Sequence, residues 1–140
     1  MQRNSEPLIL TWTDFDQAVD ILAEGISATP GIECVYGMPR GGLPLAVALS
    51  HATGLPLVLA VQADPFPGVI VDDIIETGAT LERHIGRAAH ICTWVAKGWL
   101  GSGVNFIGRA HPNQWVIFPW EKRQAWQNDA TSFTASRYAT

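Results

Sequence analysis

The sequence is short of charge. Charged residues make up 16% of 140 positions against 47% hydrophobic ones, which excludes a disordered chain and leaves a weakly charged surface that suits a homo-oligomer, dimer or tetramer. Basic residues are scarcer than acidic ones, 9 against 13, for a formal net charge of -4. A nucleic-acid or anionic-membrane surface would need a basic stripe to offset phosphate charge, so neither is an expected partner. Cysteine is nearly absent: Cys34 and Cys92 each sit in an apolar run, where a reduced thiol behaves as a small hydrophobe, and neither a disulfide nor a metal pair is expected. No apolar run is long enough to cross a bilayer, and residues 1–7 lack the basic and apolar regions of a signal peptide, so the cytoplasm is the expected location. His51, His84, His90 and His111 are scattered without metal-ligand spacing.

What is present is alternation. Leu8 to Trp12 reads as a short strand, with Thr13 as the cap of a helix whose Phe15, Ala18, Val19, Leu22 and Ile26 recur at helical spacing. That helix stops before Pro30-Gly31. Ile32 to Tyr36 is a strand, Leu45 to His51 a helix ending at Gly54, and Leu57 to Val61 and Val69 to Val71 are two more apolar strands. Asp64-Pro65-Phe66-Pro67-Gly68 between them is turn chemistry. A helix over about Ala79 to Ala89 and a strand over Ile91 to Ala96 follow. Continuous apolar strands alternating with helices predict an α/β domain of three layers around a mostly parallel central sheet. Beyond Lys97, glycines and tryptophans interrupt the pattern, predicting a small irregular C-terminal cap over about 97–121. One domain is expected over 1–128, with a frayed tail at 129–140.

The chemistry concentrates in Val69-Ile70-Val71-Asp72-Asp73-Ile74-Ile75-Glu76-Thr77-Gly78-Ala79-Thr80-Leu81: a buried strand, two carboxylates, then a hydroxyl- and glycine-containing turn opening a helix. Backbone N–H groups of Thr77, Gly78, Ala79 and Thr80 at a helix N-terminus suit a phosphate, and the two threonine hydroxyls can donate to it. Asp72 and Asp73 offer acceptor oxygens that match a ribose diol, and hard ligands for a Mg²⁺ that would offset phosphate charge, directly or through water or ribose. Paired aspartates alone more commonly cap a helix; the whole run is harder to explain that way.

This run resembles the phosphoribosyl pyrophosphate (PRPP) signature of type I phosphoribosyltransferases, two acidic residues followed by a Thr-Gly-x-Thr loop. Tyr36-Gly37-Met38-Pro39-Arg40-Gly41-Gly42-Leu43 is similar to the family's pyrophosphate loop, which makes Pro39, Arg40 and Gly41 PRPP-binding residues. A guanidinium fork between glycines suits two phosphate oxygens. Val95-Ala96-Lys97 and the segment from Trp115 and Val116 to Glu121 resemble the base-binding elements of xanthine-guanine phosphoribosyltransferases, in which the lysine contacts the 6-oxo group and the tryptophan stacks on the purine. The resemblance spans Ile32 to Glu121 and implies transfer of phosphoribosyl from PRPP to a 6-oxopurine, with Mg²⁺ as cofactor and Arg40 and Glu76 as catalytic residues.

Two departures stand out. The family's long mobile loop before the PRPP strand is replaced by Ala60 to Gly68, and a missing lid exposes the activated sugar to water. Glu76 occupies a position where purine enzymes commonly have aspartate, which alters the reach of a proton-transferring carboxyl. Two alternatives therefore stay open: a PRPP or nucleotide sensor without turnover, and a transferase with a different acceptor.

Overall fold

The computed structural model describes residues 6–75, 88–97, 104–110 and 113–121. They fall in two compact units, one from Asp16 to Pro112 and the other made of Met1–Phe15 with Asn113–Thr140. The described elements are β1 (Leu8–Ile9), α1 (Trp12–Ser27), β2 (Cys34–Gly37), α2 (Gly42–Thr53), β3 (Leu57–Val58), β4 (Phe66–Ile75), β5 (Ala88–Lys97), β6 (Asn105–Ala110) and β7 (Val116–Ile117).

In the larger unit β3, β2, β4, β5 and β6 lie side by side in that order, every neighbouring pair parallel. Successive residues of a strand face opposite sides of the sheet. Val69, Ile70 and Val71 of β4 and Ile91 and Cys92 of β5 are all buried, so both faces of the central strands are covered, as continuous apolar runs predict. Cys34 and Cys92 are free, buried thiols in this core, and burial pushes Cys92 up to about 12.

Helix α1 buries Phe15, Ala18, Val19, Leu22 and Ile26 and exposes Asp16, Asp20 and Glu24, the division its periodicity predicts. Its cap is Thr11 rather than Thr13. Both threonines precede an aspartate by three residues, but it is Thr11 whose N–H donates to Asp14 Oδ2 at 2.9 Å while Asp14 N–H donates back to Thr11 Oγ1 at 3.1 Å. The earlier start draws Trp12 into the helix and ends β1 at Ile9. Helix α2 begins at Gly42, three residues before the expected Leu45, and ends where Gly54 N–H donates to Ser50 O at 2.9 Å, Gly54 having φ 76°.

The strands depart more from expectation. β3 stops at Val58, leaving Leu59 83% exposed. β4 takes in Phe66 to Gly68, expected as turn, and Asp72-Asp73, expected beyond the strand. Its length comes from its neighbour: β2 pairs with it only through Gly37↔Val71, but β5 runs alongside to Ile75↔Ala96. β5 also claims Ala88 and Ala89, expected as the end of a helix whose remainder lies outside the described residues. Asn105–Ala110, expected in an irregular cap, is a fifth strand, because Gly108 breaks an apolar pattern without breaking backbone pairing to β5.

In the smaller unit β1 and β7 pair in parallel, with Leu8 N–H donating to Trp115 O and Leu10 N–H to Ile117 O, each at 2.9 Å. Phe118 and Trp120 stack with centroids 5.1 Å apart, and Phe15 meets Trp120 edge-on at 6.0 Å. Trp12 adds to this cluster at 5.2 Å from Phe15 but stays half exposed.

Candidate active site

From β2 the chain passes through α2 to β3 on one side, then returns to β4 on the other side of β2. That reversal makes the carboxyl ends of β2 and β4 a topological switch point, where open α/β sheets form their ligand crevices. The loop with Arg40 and the strand end with Asp72-Asp73 both lie there.

The loop is pinned to the strand. Met38 N–H donates to Val71 O at 2.8 Å, Gly42 N–H to Met38 O at 2.8 Å and Leu43 N–H to Arg40 O at 3.2 Å. The Pro39–Arg40 peptide is cis. Among the described residues the N–H groups of Arg40 and Gly41 meet no acceptor, and Gly41 caps α2 without a side-chain hydrogen bond. The Arg40 side chain is exposed. The region thus combines backbone donors, a guanidinium and the positive end of a twelve-residue helix, the elements that hold an anion.

The glycines here serve close approach. A Cβ on Gly41 would lie 2.5 Å from Asp73 Cγ and 2.7 Å from its Oδ1, and closer still to Oδ2. One on Gly42 would lie 2.5 Å from Val71 O. Gly41 has φ -65°, open to any residue, so contact rather than backbone conformation excludes a side chain. Gly42 is a site feature the sequence reading left without a role, and the Gly-Gly doublet was its signal.

Asp73 N–H donates to Asp72 Oδ1 at 2.9 Å, and Ile74 N–H donates to Asp73 Oδ1 at 2.8 Å. Burial, then hydrogen bonding and charge from Asp73, push the Asp72 carboxyl up to about 8. Two adjacent carboxyl groups form an oxygen donor set of the kind that fits a hard cation, and Mg²⁺ commonly takes one or two carboxylates with water and substrate phosphate as its other ligands. Among the described residues no group of three or more His, Cys, Asp or Glu forms a metal cage.

Lys97, the last residue of β5, is 5% exposed and follows the Ile75↔Ala96 pair, so it stands at the same carboxyl end of the sheet. Trp115 and Val116 belong to the smaller unit, Val116 buried within β7 and Trp115 half-buried just before it. Glu76, Thr77, Gly78, Ala79 and Thr80 lie outside the described residues, as do Arg83 and Arg87.

The purine phosphoribosyltransferase of Pyrococcus horikoshii matches with a TM-score of 0.68 and 29% identity, over 84% of this chain and 95% of that one. The chain has the fold of the type I phosphoribosyltransferases. Two more structures share this phosphoribosyltransferase fold. Helicobacter pylori xanthine-guanine-hypoxanthine phosphoribosyltransferase matches over 94% of this chain and 99% of its own at 16% identity, with a TM-score of 0.64. A hypothetical protein from Neisseria gonorrhoeae with bound ppGpp matches over 96% and 99% at 12% identity, with a TM-score of 0.62. No family model and no curated protein matches the sequence.

Proposed function

We propose that this chain is a phosphoribosyltransferase that moves the 5-phosphoribosyl group of PRPP to a 6-oxopurine, yielding a nucleoside 5′-monophosphate and pyrophosphate. The observation that carries the reading is the meeting of the Arg40-Gly41 loop with Asp73 at the switch point between β2 and β4. In this reading the N–H groups of Arg40 and Gly41 and the Arg40 guanidinium hold the pyrophosphate, with Pro39 shaping the loop. Asp72 and Asp73 accept from the ribose hydroxyls and are the protein's oxygen donors to Mg²⁺, which supplies neutralisation of pyrophosphate charge. Thr77 to Thr80 receive the 5′-phosphate. A base nitrogen attacks C1 of the ribose as the bond from C1 to pyrophosphate oxygen breaks, the pyrophosphate leaves with that electron pair, and the base gives up its proton, with Glu76 as acceptor. Positioning and offsetting of charge at the leaving group carry the rate, since the transition state has oxocarbenium character. Lys97 donates to the 6-oxo group, and Trp115 and Val116 bound the purine.

The connection between β3 and β4 is seven residues, 59–65, and must travel back from the carboxyl end of one strand to the start of the other. Little chain is left to cover the reacting centre, so transfer is accompanied by hydrolysis of PRPP. Measuring pyrophosphate and nucleotide release together, with guanine, xanthine, hypoxanthine and adenine, tests the reaction and its acceptor. Pyrophosphate release that no base accelerates would overturn the transferase reading.

The same short connection, with the ppGpp bound to the Neisseria protein, favours as a second reading a nucleotide-binding regulator that takes up PRPP and consumes none. Self-association is part of the proposal. Residues 41–63 contain no Asp, Glu, Lys or Arg, while Val47, Leu59 and Val61 are exposed. On a chain of net charge -4, a charge-free face is one that a second copy can meet without like-charge repulsion. Sedimentation should show a dimer or tetramer that Leu59→Glu dissociates; a monomeric wild type would contradict it.

A further inference from the structure

Residues 38–41 carry the donors assigned above to pyrophosphate, yet little of this loop is held by its own side chains. Pro39 and Arg40 are exposed, and Gly41 has no side chain to bury. Met38 is the exception. Its side chain is half-buried against the cluster of Cys34, Phe66 and Ile70, alongside Tyr36 and Val58. Cys34, Tyr36 and Met38 alternate along the chain and so share one face of the sheet. Gly37 points to the other face, where a Cβ would lie 2.7 Å from Ala46 Cβ of α2. The chain therefore leaves β2 gripped on both faces. The Met38 backbone is used as well, its N–H donating to Val71 O and its carbonyl accepting from Gly42 N–H, each at 2.8 Å.

We propose that Met38 is the positioning residue of this loop: its side chain, seated in the Cys34, Phe66 and Ile70 cluster, fixes the direction in which the Arg40 and Gly41 N–H groups are presented to an anion. The inference rests on the assignment of the Arg40-Gly41 loop to pyrophosphate. A loop that is not held must be ordered by its ligand, and the entropy lost in ordering is subtracted from the affinity. Hydrogen bonds at its N–H and carbonyl tether Met38 at two points, and the buried side chain stops the tether from pivoting. An unbranched thioether suits that task, since it adapts to an irregular gap among strand side chains. Met38 touches no ligand itself; it acts through Arg40 and Gly41.

The test is calorimetric titration of the full chain with inorganic pyrophosphate in excess Mg²⁺, alongside urea unfolding, for wild type, Met38→Ala, Met38→Val, Met38→Leu and Val58→Ala. Alanine and valine at 38 both fall short of the cluster, and Met38→Val serves where alanine does not fold. Each should bind pyrophosphate about tenfold or more weakly than wild type, the scale of one lost hydrogen bond to a charged group. Met38→Leu conserves volume and should bind as wild type does. Val58→Ala opens the same cluster from β3, away from the loop, and should lose stability while keeping wild-type affinity. A folded Met38→Ala or Met38→Val with wild-type affinity would overturn the positioning role. So would a loss of affinity in Val58→Ala or Met38→Leu as large as in Met38→Ala. If wild type itself binds no pyrophosphate, the loop assignment fails and takes this inference with it.

Discussion

Gly41 and Asp73 are in contact across the switch point, Gly41 opening α2 and Asp73 standing two residues beyond Gly37↔Val71, the last β2–β4 pair, with no room for a single methyl group between them. Since Gly41 has φ -65°, alanine can adopt its backbone, and the whole penalty of Gly41→Ala comes from crowding the carboxylate. Overpacking of this kind costs about 1 to 3 kcal/mol. Urea unfolding of Gly41→Ala should show a loss in that range. In an Asp73→Ser background the same substitution should cost much less. Equal penalties in both backgrounds would mean that the contact does not constrain the loop.

Asp72 makes stability depend on pH. Its folded pKa of about 8 lies above the ordinary 3.8, so between those values the folded chain binds more protons than the unfolded one. The associated stability is present below about pH 4 and is lost as pH rises through 8, with a slope of up to about 1.4 kcal/mol per pH unit. Asp72→Asn removes the slope. In EDTA the variant should gain on wild type steadily from pH 5 to pH 8; parallel stability profiles would refute the environment described for this carboxyl.

The proposed roles of Lys97 and Trp115 predict two different failures. If Lys97 is the proposed donor to a 6-oxo group, Lys97→Ala should cost guanine affinity while adenine changes little. If Trp115 stacks on the base as proposed, Trp115→Ala should cost about 1 to 3 kcal/mol, and both bases should weaken alike. Affinities measured with a PRPP analogue bound keep the comparison independent of turnover. Equal loss of guanine and adenine in Lys97→Ala would rule out a lysine reading the 6-oxo position.

The order of strands and helices was legible because burial on both faces leaves uninterrupted runs such as Val69 to Val71 and Ile91 to Ala96. The apolar stripe of α1 was equally plain. Boundaries were harder where two local solutions compete, as at Thr11 and Thr13, each with an aspartate three residues on. Pairing with a neighbour is not written locally either: Asp72 and Asp73 are strand residues because β5 extends beside them, and Gly108 is in a strand because an existing edge accepts it. At the candidate site the motif residues could be named in order. That Asp73 presses on Gly41 could not, since it depends on the register between β2 and β4 and on where α2 starts.

The central claim is that Arg40, Gly41, Asp72 and Asp73 form a PRPP site, and calorimetry with PRPP tests it most directly. Wild type should bind PRPP in the presence of Mg²⁺, and the double variant Asp72→Asn with Asp73→Asn should lose about 1.5 to 3 kcal/mol of that affinity, the scale of charged hydrogen bonds. Absence of binding by wild type, or unchanged affinity in the double variant, would contradict it.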